Sequence, residues 1–268
     1  MEASTAMSGS AVTVAVTEGI ARLTLNRPER LNTIDLSVAR ALAEAALQLS
    51  GDPTVRVVLL SGAGPTFCGG GDLKSFAEVG HGLPDHLREV TTQLHAALTV
   101  LARLDAPIVA VVRGSAAGAG LGLVCLADIV IAAASTRFAF AYSAIGLTPD
   151  GGTSWSLPRL VGLRKAQELA LTNRVLDADE AERIGIVTTV AADEDLDATA
   201  DALVTRLALA PTRALGVTKR LLRTTYDVAF EERLAVESVE LSNSAGASDG
   251  REGIAAFLEK RKPGFTGR

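Results

Sequence analysis

The backbone chemistry this chain can offer is concentrated in two glycine-rich turns. Cys68-Gly69-Gly70-Gly71-Asp72-Leu73 follows the apolar run Val55 to Ser61, and Gly114-Ser115-Ala116-Ala117-Gly118-Ala119-Gly120 follows Ile108 to Val112. Each leads from a strand toward a helix. A helix start leaves backbone N–H groups without intrahelical acceptors, and its dipole favours negative charge there. Glycine also lets a ligand approach the main chain closely. Two such turns in one domain can aim paired N–H donors at one carbonyl oxygen, which stabilises an enolate or a tetrahedral oxyanion. Two plain tight turns would have the same composition, and the glycines alone do not separate the readings.

Several other chemistries are disfavoured. A dinucleotide fingerprint needs a third glycine after Gly118-Ala119-Gly120, and that position is Leu123. Neither loop ends in the Gly-Lys-Ser/Thr of a phosphate-binding P-loop, and Lys74 lies too far beyond Gly71 to supply the lysine. No Gly-x-Ser-x-Gly elbow occurs. His81, His86 and His95 lack metal-ligand spacing and read as surface or helix-packing residues, with His81 or His86 the ones that could line a pocket. No metal site is expected.

The elements that must position these turns read as α/β. Val12 to Val16 and Ile20 to Leu25 flank Thr17-Glu18-Gly19 as a hairpin. Asp35 or Ser37 caps a helix with apolar positions Leu36, Ala39, Leu42, Ala46 and Leu49, stopped by Gly51-Asp52-Pro53. Arg56 to Ser61 is a buried strand, Pro84 to Leu104 a long amphipathic helix, and Ile108 to Val112 another strand. A short helix near Leu121 to Leu126 leads to a strand over Ile129 to Ala133. Alternation of this kind implies a largely parallel sheet covered by helices. From Thr153 onward helices dominate, with starts at Asp177 and Thr212 and a soft boundary near residue 200.

A net charge of −5 and a pI near 5.3 leave no electrostatic footprint for nucleic acid. The hydrophobic fraction is 48% with only 4% aromatic, so the core is built from Ala, Val, Leu and Ile. Cys68 and Cys125 read as small buried residues of a reducing compartment. Met1 to Ser10 has neither the basic nor the apolar region of a signal peptide and is expected to be a frayed tail. The most apolar stretch, Leu121 to Ala134, is interrupted by Asp128, so no membrane span and a cytoplasmic enzyme are expected.

In order along the chain, Leu25-Asn26-Arg27-Pro28 with Leu31-Asn32, Phe67 to Lys74, Pro107 to Gly114 with Gly118-Ala119-Gly120, Ala127-Asp128-Ile129, Phe138, and Ile145 to Gly152 resemble the crotonase, or enoyl-CoA hydratase/isomerase, superfamily. The resemblance covers nearly the whole chain. It implies a spiral of strand-strand-helix turns over residues 11–200 and a helical oligomerisation region over 201–268. It also implies an acyl-CoA thioester as substrate, no separate cofactor, and a homotrimer or dimer of trimers. Carried over by position, the oxyanion-hole amides are those of Gly71 and Ala119. Cys68, Gly70, Asp72 and Leu73 would lie near the adenine, Arg27 near the phosphates, and Gly118 and Tyr142 in the substrate site. Phe257 to Pro263, with Lys262, would close the nucleotide site, and Arg27 could equally be a solvated turn residue.

Departures from the family pattern then bear on the reaction. The resemblance places the two glutamates of a hydratase at Gly122 and Tyr142, neither of which is a useful base near neutrality. Asp150 matches the acidic catalytic position of related isomerases, although an Asp before a helix is also a good N-cap. As a base it needs apolar surroundings to raise its ordinary pKa of about 3.9, and Phe138, Phe140, Tyr142, Ile145, Leu147 and Trp155 are near it in sequence. Glu78, Asp85 and Glu89 read as helix surface. The leading expectation is an enoyl-CoA isomerase acting through Asp150. A hydratase with a single carboxylate and a non-catalytic acyl-CoA-binding subunit are the alternatives.

Overall fold

A computed structural model describes residues 10–268. The expected N-terminal tail lies outside the described residues except for Ser10, whose carbonyl accepts from Asn26 Nδ2 at 3.2 Å.

The chain winds through four similar turns, each a strand in a main sheet, a short segment in a second sheet, and a helix. In the first turn β1 (Val12–Thr17) and β2 (Ile20–Leu25) form the expected hairpin, and a bridge at Ile34 precedes α1 (Leu36–Gly51). The Asp35 carboxylate accepts from the Val38 N–H at 3.0 Å and from Ser37 Oγ, so Asp35 is the cap. In the second, β3 (Val57–Gly62) leads through the first glycine turn to α2 (Leu73–Val79) and α3 (Leu83–Arg103). The third runs β4 (Ile108–Val112), β5 (Ser115–Ala117), α4 (Ala119–Leu126), and the fourth β6 (Ile129–Ala133), β7 (Arg137–Ala139), α5 (Thr153–Val161). There follow α6 (Leu163–Thr172), β8 (Leu176–Asp177), α7 (Ala178–Arg183), β9 (Thr189–Ala191) and α8 (Leu196–Ala208). The chain closes with α9 (Thr212–Arg223), α10 (Phe230–Gly246) and α11 (Ser248–Leu258).

The main sheet has the order β1-β2-β3-β4-β6-β9, parallel from β2 onward. Its strands β4 and β6 coincide with the expected apolar runs. The resemblance implied a second strand in each turn, but the positions of β5, β7 and β8 in the second sheet, and of β9, were not read from the residues. Segments of two or three residues are too short to display a period of two.

Alternation along the strands divides the core into two layers. Val58, Leu60, Ala110, Val112, Val130 and Ala132 face inward toward the second sheet and helices. Val57, Leu59, Val109, Val111, Ile131 and Ala133 face outward and are covered by Leu196, Ala200, Val204 and Ala208 of α8. Residue 200 therefore falls inside a helix that seals the sheet. The core extends through Ala208, later than the boundary drawn from the sequence. Among the described residues no helix is long and apolar enough to cross a membrane.

Leu196 is fully buried against the outer sheet face. Replacing it with alanine is expected to destabilise the fold by about 2–5 kcal/mol, read as a lowered urea midpoint. A midpoint at the wild-type value would detach α8 from the core.

Candidate active site

The two glycine turns are tied to each other by main-chain hydrogen bonds. Cys68 N–H donates to the Ser115 carbonyl at 3.1 Å and the Ala117 N–H donates to the Cys68 carbonyl at 3.0 Å, extending the second sheet through the first turn. The turns touch so closely that a Cβ on Gly120 would lie 2.5 Å from the Cys68 carbonyl oxygen. On the far side Ile34 donates to the Gly70 carbonyl at 2.7 Å and accepts from Asp72 N–H at 3.0 Å. This ladder engages the residues either side of Gly71 and leaves its own N–H aside. Ala119 is the first residue of α4 and its N–H likewise has no intrahelical acceptor. Among the described residues neither amide has a hydrogen-bond partner, as two oxyanion donors require.

Both amides border a cavity of about 660 Å³. Gly70, Leu73, Gly118, Tyr142 and Asp150 also line it. Phe76, Leu87, Val90, Leu94, Ile145 and Leu147 give it a largely apolar wall. Phe138 is instead in the core, Phe140 backs Tyr142 edge-on with ring centroids 5.1 Å apart, and Trp155 lies outside beneath the Arg159 guanidinium. Asp150 is the only carboxylate among the lining residues. Glu89 pairs with Arg40 on the surface, Asp85 pairs with Arg88, and Glu78 is exposed.

Asp150 is not the helix cap. The N-cap of α5 is Gly152, with no side-chain cap, and only the Asp150 carbonyl serves the helix start, accepting from Thr153 N–H at 3.0 Å. The Asp150 carboxylate instead accepts a hydrogen bond from the Tyr142 hydroxyl at 2.5 Å. Burial, the Asp150 charge and this hydrogen bond all push the Tyr142 hydroxyl far above its ordinary value, so it stays protonated and acts as a donor.

The residues expected near coenzyme A divide. The Arg27 guanidinium is only 14% exposed and is held by Asp35 at 2.5 Å and Asp72 at 3.8 Å. It is therefore neither a solvated turn residue nor a free cation for phosphate. Arg30 also pairs with Asp72, at 3.4 Å, but is half exposed and so keeps part of its guanidinium open to solvent. Asp72 is itself buried, with its carboxylate capping α2 through Ser75 N–H. The Cys68 side chain is fully buried, its thiol pushed up to about 12 by that burial, so it presents nothing to a ligand. Phe257 and Lys262 are exposed on α11 and the tail beyond it, and do not line the cavity. Asn32 anchors the rim, donating through Nδ2 to the Ala63 and Thr66 carbonyls and accepting from Arg27 N–H.

His95 was not expected here. It lines the cavity and its Nε2 accepts from the Gly151 N–H at 3.1 Å. A signal lay in the register of α3, since Pro84, Leu87, Thr91 and Leu94 recur at helical spacing and His95 adjoins that face. His86 packs edge-on to Phe76 and His81 is exposed.

A family profile described as enoyl-CoA hydratase/isomerase matches residues 15–268. The chain belongs to this family. It is 40% identical over 254 residues to the 1,2-epoxyphenylacetyl-CoA isomerase of Escherichia coli K12, covering 94% of this chain and 97% of that one. It is 37% identical over 262 residues to a "Probable enoyl-CoA hydratase" of Rhodobacter capsulatus, covering 98% and 100%. The crystal structure of an enoyl-CoA hydratase from Polaromonas sp. JS666 matches with a TM-score of 0.90 at 31% identity, covering 95% and 99%. The crotonase fold expected from the ordered motifs is thus present.

For a member of the enoyl-CoA hydratase/isomerase family, the packing at Gly122 is notable. A Cβ there would lie 2.9 Å from both the Gly151 carbonyl oxygen and Thr153 Oγ1, a buried hydroxyl with no partner among the described residues. The turn that carries Asp150 occupies the space a side chain at 122 would need. Gly122→Glu is therefore expected to destabilise the protein by about 1–3 kcal/mol and to yield no hydratase. A stable, hydrating variant would contradict this packing.

The rim ion pairs generate a pH dependence. Burial works to raise the Asp35 carboxyl, but hydrogen bonds from Ser37 and Val38 and the Arg27 guanidinium outweigh it and hold the group at about 2, against 3.8 ordinarily. The lowered value means that this stabilisation is complete above the ordinary value and disappears as pH falls through about 2. Between these values the unfolding free energy of the wild type should fall more steeply than that of Asp35→Asn, in acid-dependent urea titrations. Parallel curves would refute the assignment.

Proposed function

We propose that this enzyme is an isomerase of acyl-CoA thioesters that shifts a double bond by proton transfer through Asp150. The observation that carries the reading is that one carboxylate, Asp150, shares the cavity with the free amides of Gly71 and Ala119. Asp150 takes a carbon-bound proton, and the electron pair left behind delocalises onto the thioester oxygen. The two N–H groups stabilise that developing charge in a preformed arrangement. Returning the proton to another carbon moves the double bond and leaves the enzyme unchanged. Tyr142 holds the carboxylate in place and adds no second base.

The apolar wall fits a bulky acyl group, and the isomerase name of the Escherichia coli relative supports the same class. Coenzyme A enters as part of the substrate along Gly69 to Leu73, with Arg30 the cation offered to its phosphates. No other cofactor is required by this chemistry. Assembly as a homotrimer or dimer of trimers is part of the same reading. It is supported by α10, which buries none of its residues in the isolated chain and exposes Phe230, Leu234, Val239 and Leu241. Phe257 and Lys262 would reach a nucleotide site only across such an interface. The hydratase names of other relatives favour a second reading, hydration with Asp150 as the only carboxylate.

Incubation with a 3-enoyl-CoA in deuterated water, followed by mass-resolved product analysis, separates these. The isomerase gives a conjugated 2-enoyl product carrying deuterium and no added water, and Asp150→Asn lowers turnover by about 10²–10⁴-fold while the protein stays folded. A water adduct supports hydration. Turnover retained in Asp150→Asn removes Asp150 from the mechanism, and binding without exchange leaves an acyl-CoA-binding subunit.

A further inference from the structure

We propose that His95 is a positioning residue: it fixes the peptide that follows Asp150 and thereby aims the catalytic carboxylate. The inference rests on the role of Asp150 given above, but its physical basis is independent of the substrate.

The turn Asp150-Gly151-Gly152 is inherently loose. Gly151 and Gly152 both sit in the left-handed region, at φ +58° and +72°, and two successive glycines have a wide choice of backbone conformations. No side chain caps the helix that follows. The carboxylate is restrained by Tyr142, and the peptide joining Asp150 to Gly151 is held on its carbonyl edge by Thr153 N–H at 3.0 Å and the Tyr142 hydroxyl at 3.4 Å, so its N–H edge is the one still to be anchored. Gly151 is buried, and its N–H would be an unpaired donor without a partner. His95 Nε2 supplies that partner from α3, which lines the same cavity. Because Nε2 accepts, the ring proton resides on Nδ1. The imidazole therefore links the long helix to the catalytic turn. A peptide anchored on its carbonyl edge alone can tilt about that edge, which shifts the carboxylate relative to the thioester while leaving the coenzyme A rim untouched. The expected signature is loss of turnover without loss of binding.

The test uses the full-length protein and two variants. In His95→Leu the acceptor is gone, whereas the Gln side chain of His95→Gln can place a carbonyl oxygen close to the position of Nε2. Turnover of the 3-enoyl-CoA by His95→Leu should fall about 10–100-fold, as expected for an ångström-scale misplacement, with KM within about twofold of wild type and His95→Gln within about threefold of wild-type turnover. Amide hydrogen exchange at Gly151, followed by NMR, should accelerate in His95→Leu and stay slow in His95→Gln and in Asp150→Asn. Unchanged Gly151 exchange in a folded His95→Leu overturns the proposal, as does a KM that rises in step with the loss of turnover. Should Asp150→Asn keep its turnover, the reaction assigned to Asp150 falls, and Gly151 exchange still decides whether His95 holds the turn.

Discussion

The contact on which the site depends is between two stretches of backbone. The Cys68 carbonyl lies against the start of α4 at a distance that only a missing Cβ at Gly120 permits, and it also accepts the Ala117 N–H. Separating the turns would remove the pairing that sets the Gly71 and Ala119 amides beside one cavity. Their closeness in turn requires β5 and the Cys68 segment to be neighbours in the second sheet. That sheet persists because the inner face of the main sheet packs against it. The apolar core of small and branched residues thus fixes the position of two N–H groups, one carried by a core residue, Ala119, and the other by Gly71, which packs close to the core ring of Phe76.

Around this contact the polar groups are held by partners rather than left to solvent. Asn32 satisfies three main-chain groups of the rim, and Arg27 neutralises two acids that cap successive helices. Asp150 and Tyr142 are coupled in the same way within the cavity. Such preorganisation matters because donors already aimed at a developing charge need not reorient during the reaction. It also explains why few polar side chains suffice: the work of charge stabilisation falls to the main chain, and the side chains supply orientation and one proton carrier.

Much of this was legible from the residues. Continuous apolar runs bounded by turn signals gave β4 and β6 their limits, and the pair Asp35 and Ser37 announced the start of α1 without saying which of them caps it. The glycine turns with Asp150 stood out because their types and order are specific. What escaped depends on pairing between distant segments. The strands β5, β7, β8 and β9 are too short to carry a pattern, and α8 reads as an ordinary amphipathic helix until the outer sheet face is seen beneath it. Arg27 looked available for phosphate because its acids come from Asp35 and the far turn at Asp72. His95 looked like a helix-surface residue because its partner is a main-chain N–H, which has no signature in the side-chain sequence.

The hydrogen bond from Tyr142 has a stereochemical consequence. It occupies one carboxylate oxygen of Asp150, and Tyr142 is too weak an acid to release its own proton. The other oxygen is the one left without a side-chain donor, and in the proposed reaction it is the acceptor for the migrating proton. Under the proposed reaction, a proton taken and returned by that single atom must leave and rejoin the same face of the carbon skeleton. The handedness of the transfer would then be set by a phenol that never contacts the migrating hydrogen.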